Sequence, residues 1–126
     1  MEKKIIQTDK APKPVGPYSQ AVQLGNLLYC SGQISIDPKT NEVFLGPVKE
    51  QTEMVMKNIE AVLAQAGLGF KNVIKTNIFL INMNDFPTVN EVYGKYFTQN
   101  PPARSTIAVA ALPKGVHVEI EIIAHT

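Results

Sequence analysis

Arg104 follows the rigid stretch "NPPA" and opens an apolar run, so its guanidinium stands at the end of a strand. There its planar fork of donors suits a carboxylate or a phosphate, and the competing use is a surface ion pair, which contributes little. Near the C-terminus, "HVEIEIIA" alternates, placing Glu119 and Glu121 on one face of a strand and Val118, Ile120 and Ile122 on the other. The paired carboxylates are either the wet side of an edge strand or include one that faces a partner that uses it. Asn90 lies four residues from Phe86 and three before Tyr93, so it points along the apolar side of a helix and needs a hydrogen-bond partner there, in the backbone or in a pocket. Tyr18, in "VGPYSQ", follows a rigid Gly-Pro pair that lets the ring pack while the hydroxyl is offered. Ser31-Gly32 in "YCSGQI" ends a strand, where the missing side chain either admits a ligand to a backbone N–H or marks a bulge.

Other chemistries find little support. The chain has no Gly-rich phosphate loop, nucleophile elbow or zinc-type helix motif. Its one cysteine, Cys30, ends an apolar strand run and reads as a buried small hydrophobe rather than a nucleophile. A lone cysteine forms no intramolecular disulfide, and His117 and His125 have no matched ligands, so no metal site is expected. Twelve basic against 11 acidic residues, a net charge of +1, leave no electrostatic footprint for nucleic acid or an anionic membrane. With no long apolar run, the expectation is a soluble cytoplasmic protein.

The elements that must position these residues follow from periodicity. At 126 residues the chain supports one core, and residues 1–126 are expected to form a single domain. "AVQLGNLLYCSGQI" predicts a β-hairpin turning at Gly25-Asn26, residues that tolerate positive φ, and "DPKTNEVF" a turn with a short extended connection. From Pro47 to Ala66 the positions Thr52, Val55, Met56, Ile59, Val62, Leu63 and Ala66 follow helical spacing, with Gly67 as the stop. "NVIKTNIFLINM" carries apolar side chains at both parities, predicting a strand covered on both faces. A second helix starts after Asp85 as N-cap and runs through "FPTVNEVYGKYF", with Phe86, Val89, Tyr93, Tyr96 and Phe97 inward. "RSTIAVAAL" and "HVEIEIIA" close the chain as strands joined by "PKG". The order predicts an α+β fold, a mixed sheet with two helices on one face. The uncovered face would carry Ile and Leu side chains, and packing it against other copies in a closed homo-oligomer is the economical solution.

Five blocks, "GPYSQA", "YCSGQI", "NDFPTVNEVY", "PPARSTIAVAALPKG" and "VEIEIIA", stand in the order and approximate spacing of the YjgF family, also called the reactive intermediate deaminase or RidA family. The resemblance extends from about Ile5 to Ala124. It implies a chorismate-mutase-like homotrimer with clefts between subunits, in which 2-imino acids are hydrolysed to 2-oxo acids and ammonia without metal or organic cofactor. Carried over by position, Arg104 would clamp the substrate carboxylate, Glu119 would hold or activate the attacking water, and Tyr18, Gly32, Asn90 and, more weakly, Ser31 would line the cleft. An imine already hydrolyses slowly in water, so a site that orients it beside a water can suffice. Glu121 on the same face would raise the Glu119 pKa by like-charge repulsion.

This chain reads "ARSTIAVAALP" where many RidA-branch members read "ARSCVEVARLP". Thr106 thus replaces a cleft cysteine, which predicts retained activity with altered substrate preference, and Ala111 replaces an arginine, a change expected to affect trimer contacts or solubility more than chemistry. Two rival functions remain: a non-catalytic module sensing a small carboxylate, and a ribonuclease or translation inhibitor, which the charge balance disfavours.

Overall fold

The apolar spacing ahead of Gly67 builds the longest element, α1 (Val48–Gln65), in the computed structural model, which describes residues 1–126. Pro47 occupies the N-cap position, one residue before the first turn. At the other end Gly67 takes φ +76°, the Gly67 N–H donates to the Ala64 carbonyl (2.9 Å) and the Leu68 N–H to the Leu63 carbonyl (2.9 Å), a Schellman stop available to glycine at little steric cost. The inward stripe contains the expected Val55, Met56, Ile59, Val62 and Leu63, together with two buried amides, Gln51 and Asn58.

Six strands form one sheet: β1 (Lys4–Ile6), β2 (Ala21–Leu24), β3 (Leu27–Gln33), β4 (Val73–Leu80), β5 (Ala103–Ala108) and β6 (Val118–His125), in the spatial order β1-β2-β3-β6-β4-β5. Only β4 and β5 run parallel. The mixed α+β sheet agrees with the sequence expectation. The β2–β3 hairpin turns at Gly25-Asn26, but Gly25 alone has positive φ (58°), in the first central position as a type II′ turn needs. The short β1 was not signalled, because Ile5 and Ile6 stand alone after a charged stretch.

Both helices, α1 and α2 (Phe86–Gly94), pack on one sheet face, where Leu28, Cys30, Ile78, Leu80, Val118, Ile120 and Ile122 join their inward residues in one core. The second helix differs from expectation. It ends at Gly94 rather than Phe97, and Asp85 makes no side-chain cap because it closes a 3-10 turn, Met83–Asp85, whose own cap is Asn82. Phe97 still packs edge-on against Phe70 (5.4 Å between centroids), so the aromatic residues reach the core without being helical.

The open face is more polar than expected. A bulge between Val73 and Lys75 buries Val73 with Thr76, Ile78 and Leu80 under the helices, so β4 turns Lys75, Asn77 and Phe79 to the other side. Exposed Ile5, Tyr29 and Ile107 share that side with the Asn77–Glu121 pair (3.3 Å). Strand β6 is central, between β3 and β4, which overturns an edge-strand origin for Glu119 and Glu121. No helix is long and apolar enough to cross a membrane.

Candidate active site

Ser31 and Gly32 sit in a bulge. Cys30 pairs with Ile122 and Gln33 with Ile120, so two β3 residues oppose Glu121 alone. The extra residue swings Gly32 over Glu119, and a Cβ built on Gly32 would lie 2.8 Å from Glu119 Cδ. Of the two readings that the sequence left open, the structure gives the bulge, and what the missing side chain admits within this chain is the Glu119 carboxylate. Ser31 acts structurally: its hydroxyl donates to the Ser19 carbonyl (2.6 Å) and its N–H to the Gln20 carbonyl (2.9 Å), tying the bulge to the loop that carries Tyr18.

That loop is fastened by a residue the sequence reading passed over. Gln20 is 2% exposed; its Nε2 donates to the carbonyls of Thr8 (3.0 Å), Ala11 (3.3 Å) and Pro12 (2.9 Å), and its Oε1 accepts from the Thr8 N–H (2.7 Å). The irregular arm from Thr8 to Pro12 thus has four of its backbone groups met by one amide. On α1, Gln51 bridges the Gly46 carbonyl and the His117 N–H (both 2.9 Å), holding the approach to β6. The available signal was in plain view for both: an uncharged amide in an otherwise apolar phase must be buried with partners.

Together these elements frame a cavity of about 520 Å³ lined by Lys13, Tyr18, Ser31, Gly32, Lys114 and Glu119, among others. Glu119 is half-buried, and its carboxyl is held above the usual carboxylate range, first by burial and then by repulsion from Glu121. The direction agrees with the expected tuning, although burial is the larger cause. Tyr18 is 53% exposed at the rim. Such a cavity can hold a small ligand beside a carboxylate able to take a proton from water.

Arg104 and Asn90 are elsewhere. Arg104 is the register partner of Thr76, which faces the helices, whereas Glu119 is the partner of Phe79, which faces away. The two groups thus leave opposite faces of the sheet, and one chain does not unite them in one cleft. Arg104 Nη1 donates to Asn90 Oδ1 (2.7 Å), beside a second cavity of about 420 Å³ lined by Tyr93, Phe97 and Pro102. Asn90 is exposed, not turned to the apolar stripe, because Val89, Val92 and Tyr93 take the inward positions. Thr106 faces the helix side opposite Ile78, with its Oγ1 buried and lacking a hydrogen-bond partner within the chain. Cys30 lies in the core, its thiol pushed up to about 12 by burial, so it is no nucleophile.

Residues 8–126 match the family model described as Endoribonuclease L-PSP. A RutC family protein of Pyrococcus abyssi is 49% identical over 125 residues, covering 99% of this chain and 98% of the relative. The 2-iminobutanoate/2-iminopropanoate deaminase of Mus musculus is 49% identical over 122 residues, covering 97% of this chain and 90% of that protein. Among solved structures, E. coli TdcF with bound serine superposes with a TM-score of 0.93 at 42% identity, over 98% of both chains.

Proposed function

The chain belongs to the Endoribonuclease L-PSP family, known also as YjgF or RidA, and on that premise we propose that it is an imine deaminase. Its substrates in this reading are 2-imino acids, 2-iminobutanoate and the 2-iminopropanoate that arises from 2-aminoacrylate, and its products are 2-oxo acids and ammonia. The observation that carries the proposal is the half-buried Glu119 carboxylate, pressed against Gly32 at the wall of a ligand-sized cavity with Tyr18 at its rim. The mouse relative named for this activity supports it.

In the proposed step, Glu119 accepts a proton from water as the water oxygen bonds to the imine carbon, whose C=N electrons pass to nitrogen. Glu119 passes that proton to the nitrogen, giving the neutral carbinolamine; it then takes the hydroxyl proton and delivers it to the nitrogen as the C–N bond breaks, which releases the 2-oxo acid and ammonia and restores the carboxylate. Water is the only co-reactant. Tyr18 would donate a hydrogen bond to the reacting group, and Arg104 would take the substrate carboxylate through charge-assisted bonds. Because Arg104 and Glu119 leave opposite sheet faces, their joint use needs Arg104 from a neighbouring copy. That requirement, with exposed Ile5, Tyr29 and Ile107 on the open face, supports a homotrimer with sites between subunits. Asn90, bonded to Arg104, and Thr106, with a spare hydroxyl, would border the same cleft. The proposal places the enzyme in the cytoplasm, where it removes reactive imines.

A second reading, a non-catalytic module for small carboxylates, draws on the serine bound to TdcF. The nuclease of the family description is disfavoured here by the net charge of +1. The deciding experiment generates 2-iminobutanoate in situ and follows its loss with wild type, Arg104→Ala and Glu119→Gln. Acceleration by wild type that both variants lose is expected. Ligand binding without acceleration would select the binding module, and an undiminished rate in Arg104→Ala would remove the mechanism.

A further inference from the structure

Arg104 is exposed, yet its guanidinium is closely surrounded. Its Cζ lies over two rings, 5.2 Å from the Phe86 centroid and 5.0 Å from the Tyr93 centroid, both within cation–π range. Its Nη1 donates 2.7 Å to Asn90 Oδ1. Phe86, Asn90 and Tyr93 are spaced four and three apart on α2, so they form one stripe along the side of the helix that meets β5. The stripe is anchored beneath. Tyr93 is 5% exposed, its ring lies 4.7 Å from that of Phe97, and its hydroxyl shares a 2.8 Å hydrogen bond with that of Thr76, which is fully buried on β4. Thr76 is also the register partner of Arg104 across the parallel β4–β5 pair. Backbone pairing and side-chain contacts therefore tie the same arginine to the same buried threonine.

We propose that Tyr93, seated by Thr76, is a positioning residue which with Phe86 presets the Arg104 guanidinium to receive a ligand carboxylate. The rings hold the cation over their faces, and Asn90 takes one N–H, so further guanidinium N–H groups remain for a bidentate pair. An arginine held this way has surrendered rotamer freedom before the ligand arrives, which lowers the entropic cost of binding. The inference deepens the proposed deaminase and rests on it for the substrate, but its geometry concerns any small carboxylate bound by Arg104.

The test is a double-mutant cycle read in two ways, the Kd for 2-oxobutanoate and the kcat and KM for 2-iminobutanoate. Tyr93→Leu is expected to raise Kd and KM about fivefold or more, the order of one lost cation–π contact, with a smaller change in kcat. Tyr93→Phe keeps the ring but loses the bond to Thr76, so it should fall between wild type and Tyr93→Leu. In the Arg104→Ala background, Tyr93→Leu should weaken binding no further. An equal penalty with and without Arg104 would make Tyr93 a packing residue and overturn the proposal, as would a Tyr93→Phe variant as impaired as Tyr93→Leu. Should Tyr93→Leu fail to fold, Phe86→Leu at its half-buried position carries the same cycle. Wild type that binds 2-oxobutanoate through Arg104 without hydrolysing imine would sink the deaminase alone, and the cycle on Kd would still decide the positioning role. Wild type with no Arg104-dependent carboxylate binding would overturn the proposal itself.

Discussion

Replacing Gly32 with alanine places a methyl group against the Glu119 carboxylate. The new Cβ would lie 2.8 Å from Cδ and 3.1 Å from Cγ, with Oε2 closer still, where ordinary contact begins at 3.4 Å. The backbone offers no objection, since Gly32 lies outside the positive-φ region. The strain is therefore relieved at the far end of a flexible side chain, by a retreat of the carboxylate on the order of 1 Å, a displacement that can cost about a hundredfold in rate. That factor corresponds to ~2.7 kcal/mol of transition-state stabilisation. Stability should change little, because restricting the unfolded chain contributes roughly 0.4–1 kcal/mol in favour of alanine. The assay is kcat/KM for 2-iminobutanoate hydrolysis beside a thermal melt, with Glu119→Gln as the inactive reference. Wild-type activity in Gly32→Ala, with Glu119→Gln inactive, would refute the claim that Gly32 fixes the carboxylate. A collapse of the melting temperature would refute the claim that the clash is confined to one side chain.

Glu119 must be ionised to accept a proton, so kcat/KM should rise with pH through its raised pKa; Glu121→Gln removes the repulsion and should move that acidic limb to lower pH. The same raised pKa means the folded state holds the Glu119 proton more tightly than the unfolded one, so stability is lost as pH climbs from the ordinary 4.5 through the folded value. Glu119→Gln should accordingly melt above wild type at pH 7, with the gap closing near pH 4. Cys30, with its thiol near 12, should resist iodoacetamide at pH 8 in the native protein and react once denatured, since only roughly one thiol in ten thousand is then ionised. Gln20→Ala strands several backbone groups of the N-terminal arm, each worth about 1–3 kcal/mol if left buried and unpaired. A lower melting temperature and faster tryptic cleavage after Lys10 are expected, and unchanged proteolysis would show that the arm is held by other contacts.

Most features that depend on near neighbours in the chain were legible. The stripe of α1, its glycine stop and the Gly25-Asn26 hairpin follow from local periodicity and turn chemistry, and alternation alone put Glu119 and Glu121 on one face. Legibility failed at one local turn and, elsewhere, where a distant residue decides. Asp85 has the composition of an N-cap, but Asn82 starts a 3-10 turn that takes it out of that role. Asn90 looked inward because spacing from Phe86 and Tyr93 marks a stripe without its edges; packing gave the inward places to Val89 and Val92 and left Asn90 facing Arg104. In β4, one bulged residue beside Val73 put Val73 on the same face as Ile78 and Leu80 rather than with Phe79.

The amino-acid order by itself determined the element types, the single thiol and a near-neutral charge that leaves no basic footprint, because these depend on side-chain chemistry and short-range backbone preference. It also determined, through five ordered blocks, the family. Which sheet face each polar group leaves was decided only in three dimensions, since strand order and bulges are set by pairings between residues far apart in the chain. Those pairings make β6 a central strand, seat Glu119 under Gly32 in a cavity, and send Arg104 to the other face, where α2 receives it.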